Sequence, residues 1–435
     1  MALFTKSNAV AVITALLAAA GSEPAQALTL QEGLAIVTEK GRDASMARAD
    51  VEAARESLSL SRSSYLPSVD LYARETWLKD QPAAKAPFGS FPMSQDRYLT
   101  YGFRATQQLY DFGKTGSNVR SAEFGVKARV AGAFRARNRA ALEFIMCYYD
   151  LLEAAEMLKV AEEEAGRYEA HRKDAEARFK AGVVTRNEVL QLQVMLADSK
   201  LRLLTAENAL ANKKAKVNSL LLLPLNADLH PSEIVGTPPL PAALDEAVTV
   251  AERENPDLAD LDARIAAREH GGSAVRAEYL PSVYLSGGYE YGENRYQVHE
   301  QNWSVIAGVN VNLFAGGATS ARMGAVRSEI ASLRIARDKL LDQVRLDVQT
   351  AWLELGSSHE KIEVAYTALS QAVENLRLQR LRYQEGVAIA GEVIDAVALM
   401  TTAEMNSWKA NFSLKRAEAA LLHVMGRDLA EAYGT

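Results

Sequence analysis

Tyr65-Leu66-Pro67-Ser68-Val69 returns unchanged as Tyr279-Leu280-Pro281-Ser282-Val283, 214 residues later. Leu109-Tyr110-Asp111-Phe112-Gly113 is answered by Leu313-Phe314-Ala315-Gly316-Gly317 at an offset of 204. Phe179-Lys180-Ala181-Gly182-Val183 is answered by Tyr383-Gln384-Glu385-Gly386-Val387, again at 204. An offset that drops once describes two copies of one unit, the second with a shorter loop. Repeats of this size point to a stacked or ring-like assembly rather than to a catalytic pocket.

Each copy of the pentapeptide marks a change of backbone. Pro67 and Pro281 bias Leu66 and Leu280 out of the helical region, so the chain straightens into a strand. Four strands are expected, at about 67–78, 98–110, 282–292 and 302–314. In the first, Val69, Leu71, Ala73 and Trp77 alternate with Asp70, Tyr72, Arg74 and Thr76. In the last, Trp303, Val305, Ala307, Val309, Val311 and Leu313 alternate with mostly small or polar residues. Runs of about 9–11 residues, apolar on one face, suit tilted transmembrane strands. Trp77, Tyr98, Tyr291 and Trp303 gather at one end and Tyr65, Tyr110, Tyr279 and Phe314 at the other, as in interfacial girdles. Four strands cannot close a barrel and open edges are not tolerated in lipid, so identical chains must pool theirs. Three chains would give twelve.

The remainder reads as helix. Tracts 93–223 and 282–435 contain no proline and are rich in Ala, Leu, Glu, Lys and Arg. Helices are expected at about 30–64, 114–181, 188–223, 242–278, 318–385 and 392–424. The two longest would each span about 100 Å, and the shorter ones about 50–55 Å. Leu341, Val344, Val348, Ala351, Leu355, Ile362, Ala365, Leu369, Ala372 and Leu376 keep a 3,4 spacing with one slip at Ser358. Subtracting 204 preserves the register through Ala140, Phe144, Cys147, Leu151, Ala154, Leu158, Ala161, Ala165 and Tyr168. Sustained heptads mean coiled-coil packing, with Cys147 as a seam residue. The domain reading is a first repeat at 28–223, a proline-rich linker at 224–241, a second repeat at 242–426 and a tail at 427–435.

Residues 1–27 read as an export signal. Lys6 precedes an apolar core at 9–20, and Ala25-Gln26-Ala27 offers a small-x-small cleavage site before Leu28. That core is shorter than the roughly 20 residues of a membrane anchor. No other apolar stretch approaches spanning length, so later membrane insertion must use strands.

Composition excludes several classes. The 435 residues are 48% hydrophobic and carry a net charge of −6, with no basic run interleaved with aromatics, which argues against a nucleic-acid partner. One cysteine rules out an internal disulfide and a cysteine-based zinc cluster. His171, His230, His270, His299, His359 and His423 are scattered, with no pair at ligand spacing. HExxH, Walker loop and nucleophile elbow are all missing. No catalytic residue, metal or cofactor is expected, and the chain does not read as an enzyme.

From Leu30 to about Gly426 the chain resembles the TolC-like outer-membrane efflux proteins. The YLPSV pair, the segment 109–117 and the two glycine-centred tips carry the resemblance through their shared order and spacing. It implies a mostly α fold with a small transmembrane β part. Three chains would share a twelve-stranded barrel in the Gram-negative outer membrane, continued by a long periplasmic α-helical barrel. The implied function is a passive exit duct of a tripartite efflux or type I secretion system, opened by a periplasmic adaptor protein and an inner-membrane transporter. The alternatives are a periplasmic adaptor or a fibrous coiled-coil surface protein. An adaptor would show one hairpin flanked by β modules, and a fibre no paired strands.

The resemblance also supplies site residues. Glu392 and Asp395 match two positions where family members often carry acids that narrow the periplasmic entrance, and Glu188 is the copy-one counterpart. The competing reading is capping, because acids in a helix's first turn are stabilised by its dipole. Tyr383 matches a tyrosine that ties neighbouring helices together. Ala388 stands where some members have arginine, which shifts that clasp to Arg186 or Arg382. Gly182-Val183 and Gly386-Val387 match the turns that dock the adaptor. The cargo stays open between drugs, metal ions, polysaccharide and protein.

Overall fold

The computed structural model describes residues 28–232, 236 and 238–434. The expected export signal lies outside them. In chain order the helices and strands are α1 (Leu30–Lys40), α2 (Arg42–Ser63), β1 (Ser68–Trp77), β2 (Ala83–Ala86), β3 (Gly89–Pro92), β4 (Arg97–Tyr110), α3 (Lys114–Lys180) and α4 (Arg186–Leu220). They continue with α5 (Leu244–Glu254), α6 (Pro256–Ala277), β5 (Ser282–Gly292), β6 (Gln301–Asn310), α7 (Ala318–Gln384), α8 (Ala390–Val424) and α9 (Leu429–Ala432). Both long helices run 67 residues and both following helices 35.

Several expected boundaries are corrected. The helix at 30–64 is two helices, parted at Gly41, whose N–H bonds Val37 O while its own backbone is extended. A Cβ there would lie 2.1 Å from Val37 O, so the break requires glycine. The helix at 242–278 is likewise two, because Pro256 has no N–H to continue the ladder and Asn255 caps α6 through Asp257 N at 2.9 Å. The strand expected to reach 314 stops at Asn310. Its partner there is Ser282, and the next residue back, Pro281, has no N–H to donate. α4 begins and ends before 188–223, and α8 begins two residues before 392. The loop between β1 and β4 holds the unexpected hairpin β2–β3, and the tail holds α9.

Contacts divide the chain into two compact units that cut across the two repeats. One comprises Met46–Ala136 and Glu254–Arg345. Its sheet is antiparallel in the order β1-β4-β5-β6. Register places Val69, Ala105, Gly287 and Val305 in one row, and Leu71, Phe103, Tyr289 and Trp303 in the next. The opposite face carries Asp70, Arg104 and Ser304, then Tyr72, Glu290 and Asn302. The apolar face is uncovered: Leu71 is 86% exposed, Val305 80% and Trp303 71%. Phe103, Tyr289 and Trp303 pack ring to ring across three strands at 5.2–6.5 Å. Gly102 and Gly288 let β4 and β5 cross tightly, since a Cβ would lie 2.1 Å from Tyr289 O and 2.4 Å from Phe103 O respectively.

The other unit comprises 28–45, Arg137–Arg253 and 346–434 among the described residues. Ion pairs set its helix order. Arg202 of α4 forks onto Glu164 of α3 at 2.9 and 3.0 Å. Arg416 of α8 holds Asp150 and Glu153 of α3 at 3.0 and 2.8 Å. α7 lies against α8, with Ser358 Oγ 3.5 Å from Ser413 Oγ. The expected seam of α7 is inside: Val348, Leu355, Ala372 and Leu376 are buried. Phe144, Ile145, Tyr148, Tyr149 and Leu151 of α3 anchor one core with Leu34 of α1, Val217 of α4, Leu422 of α8 and Leu429 of α9. Cys147 is buried there as a seam residue.

Candidate functional site

The two helix turns, α3–α4 and α7–α8, have the same backbone for the same reason. Gly182 and Gly386 both sit at φ +75, with nothing within 4 Å of where a Cβ would be. Val183 N bonds Arg178 O at 2.9 Å and Gly182 N bonds Phe179 O at 3.0 Å. Val387 N bonds Arg382 O at 2.9 Å and Gly386 N bonds Tyr383 O at 3.1 Å. These are glycine C-caps that satisfy the last carbonyls of each long helix. They leave Val183 and Val387 on the outside, 65% and 70% exposed, with Ile389 beside Val387.

The acidic residues divide. Glu392 lies in the first turn of α8 and takes Arg382 Nη1 at 3.2 Å, bridging α7 to α8. Asp395, one turn on, is exposed. Glu188 belongs to a capping box: Thr185 N and Oγ1 each lie 3.5 Å from its Oε1. Its Oε2 is buried without a hydrogen-bond partner. The capping reading therefore describes Glu188 directly, while Glu392 answers to a guanidinium and Asp395 to solvent.

Tyr383 is 6% exposed and packs with Tyr168 and Ala175 of α3, Leu192 and Leu196 of α4, and Val393 and Val397 of α8. The Arg178 guanidinium stands 4.9 Å over its ring and donates to its carbonyl at 3.3 Å. Burial first, then the nearby Glu188 carboxylate, raises the phenol above its ordinary range. Tyr383 Oη, like Glu188 Oε2, has no hydrogen-bond partner. Ala388 packs against the same cluster. Arg186 is exposed at the start of α4, whereas Arg382 is engaged with Glu392.

Arg178 was missed, and its signal was present: Arg178 and Arg382 are themselves 204 residues apart. The two copies use that arginine differently, one on the tyrosine of the other repeat and one on its own acid. Among the described residues no group of three or more His, Cys, Asp or Glu is placed to hold a metal.

The model of the family described as outer membrane efflux protein matches residues 37–221 and 247–427. The chain belongs to that family. It is 22% identical over 414 residues to the outer membrane efflux protein BepC of Brucella suis biovar 1 (strain 1330), covering 89% of this chain and 83% of that one. Its fold is that of solved outer-membrane channels. The CusC structure superposes with a TM-score of 0.80 at 17% identity, covering 93% of both chains. The outer membrane protein VceC of Vibrio cholerae gives 0.78 at 16%, covering 92% of this chain and 96% of VceC. This is an outer-membrane protein of a channel family, and the adaptor and fibre alternatives have no support in it. No helix among the described residues is long and apolar enough to cross a membrane. The sheet, with its exposed apolar face, is the part suited to lipid.

Proposed function

We propose that three copies of this chain form a passive exit duct, opened by a periplasmic adaptor and supplied by an inner-membrane transporter. The observation that carries it is a set of surfaces that one copy leaves unfinished. β1 and β6 are open edges of a four-stranded sheet with an apolar outer face, which lipid does not tolerate. Eight pooled strands would give a barrel just wide enough to be filled by its own side chains. Twelve leave a lumen, lined by the polar face that carries Asp70, Arg104 and Glu290.

The helical unit repeats the argument. Val189, Leu192 and Leu196 of α4 are buried, yet Leu190, Val194, Leu201 and Leu204 form a second, exposed stripe at heptad spacing. On α7, Leu353 and Val364 are exposed opposite the buried seam, and Tyr366 and Val373 beside it. Joining α4 of one copy to α7 of the next closes a ring by rotation. Leu201→Glu should shift detergent-purified protein from trimer to monomer by native mass spectrometry. Intact trimers would remove that interface.

The constriction falls to Glu392 and Asp395, six carboxylates in a trimer. Such a ring favours cations and divalent binding. Arg382 offsets part of the charge of Glu392, so Asp395 contributes the larger share. In a planar bilayer the native protein should pass small cation-selective currents that millimolar divalents block. Glu392→Ala/Asp395→Ala should enlarge the currents several-fold and abolish the block. Currents indifferent to the double substitution would leave the duct and reduce the pair to helix capping; no current from folded trimers would end the duct reading. Glu188 is assigned to the cap of α4, and Tyr383 to the clasp that holds α7 on α3.

The adaptor is assigned to the tips, where Gly182-Val183 and Gly386-Val387 offer small apolar knobs on rigid turns. Val183→Asp/Val387→Asp should abolish export in cells while leaving bilayer conductance unchanged. Full export by the double variant would move the docking surface elsewhere. The cargo class is set by the transporter, since the polar lining selects little beyond charge.

A further inference from the structure

Besides Glu188 Oε2 and Tyr383 Oη, two polar groups in the packed tip have a nitrogen with nothing to bond to. His171 of α3 falls between Tyr168 and Ala175, and Arg380 of α7 between Leu376 and Tyr383, all four members of the buried tip cluster. His171 Nε2 and Arg380 Nε are both shut off from solvent and without a hydrogen-bond partner. Native proteins rarely leave such groups unsatisfied, and each instance asks for a reason.

Their surroundings are cationic. Burial, and after it the Arg380 charge, pulls the imidazole below its ordinary range, with Asp174 opposing. Burial and then Arg167 lower Arg380 in turn. The carboxylates nearby are committed elsewhere. On α3, Asp174 pairs with Arg178 at 3.1 Å and Glu163 with Arg167 at 2.5 Å. On α8, Glu404 pairs with Arg167 at 3.3 Å, and Asp395 acts on Tyr168. On α3, Glu164 is held by Arg202 of α4, and Glu188 of α4 acts on Tyr383 of α7. A proton on His171 would therefore meet the Arg380 charge with only Asp174, already paired with Arg178, to oppose it.

We propose that His171 and Arg380 form an acid-released latch between α3 and α7. With the imidazole neutral, α7 stays seated on α3. Protonation sets two half-buried cations against each other and frees the α7–α8 hairpin that carries Glu392 and Asp395. The role in gating rests on the duct reading; the movement itself does not.

The sign follows from linkage. In the packed tip the imidazole titrates below its ordinary value of about 6.5, and in a released, hydrated tip near it. The packed form is thus favoured above about pH 6.5 and loses ground as pH falls from there through the lowered value. Each unit of difference changes the packed-to-released ratio about tenfold per chain.

The test uses full-length trimers in detergent, with Cys147→Ala and spin labels at Lys180, the exposed last residue of α3, and Glu385, the exposed residue after α7. Electron–electron resonance distances are read from pH 7.5 to 5.0, with bilayer currents in parallel. The expected result is a distance that lengthens below pH 6.5 in the otherwise native protein and stays constant in His171→Gln. Arg380→Gln should move the transition toward pH 6.5 and shrink it, which keeps the test valid if the first variant folds poorly. A His171→Gln curve that follows the native one, or a native distance constant over the whole range, overturns the latch. Movement without current keeps the latch and removes the duct. Current without movement does the reverse.

Discussion

Gly102→Val should reduce assembled trimer in the outer membrane by more than tenfold. β4 crosses β5 so closely at this residue that a Cβ would lie 2.1 Å from Tyr289 O. The atom in the way is backbone, so no side chain can turn aside. The strands must separate, and forcing extra carbons into a packed site costs about 1–3 kcal/mol. Three copies pay this in one barrel, and a factor of ten needs only about 1.4 kcal/mol. Gly288, whose Cβ would meet Phe103 O at 2.4 Å, should respond in the same direction. Gly292 lies in the same strand as Gly288 with open space around it, so Gly292→Ala should assemble normally. Measuring heat-resistant trimer in membrane fractions separates the cases. Equal yields from Gly102→Val and Gly292→Ala would mean that the crossing is not needed to close the barrel.

Phe144→Ala should cost about 3–5 kcal/mol, the range for deleting a fully buried aromatic ring. Phe144 is 0% exposed and lies with Tyr148, at a ring distance of 5.8 Å, in the core that joins α1, α3, α4, α8 and α9. Its ring fills the space that a side chain at residue 33 would take: a Cβ on Gly33 would lie 2.0 Å from Phe144 Cζ. A drop in unfolding temperature of roughly 3–6 °C for a chain of this size should appear by circular dichroism in detergent. Phe179→Ala is the comparison, because that ring is 44% exposed near the α3–α4 tip. It should change the temperature little. Equal shifts in the two variants would show that the core around Phe144 is not where the helical unit is held.

What the chain could announce by itself was periodic or local. The two 67-residue helices, their seam and the alternation of the four strands follow from residue spacing, because a helix or strand repeats its faces regardless of what lies opposite. The glycine turns were legible because glycine tolerates φ +75 at a C-cap better than other residues. Membership of the efflux family was legible from the order of short motifs. Even local signals went unread in places: Asn255-Pro256 and Gly41 break helices that amphipathic spacing alone would have joined.

Only the tertiary structure decided which residues meet across the repeats. Glu392 and Asp395 share a helix turn in sequence, yet one finds Arg382 and the other solvent. Glu188 looked equivalent and is drawn into a cap beside Tyr383. Arg178 reaches Tyr383 across 205 residues, and His171 confronts Arg380 across a similar span. Spacing fixes which face a side chain occupies on its own element. The identity of its neighbour depends on how two distant elements are docked, and that is a property of the packed helices rather than of either stretch of chain.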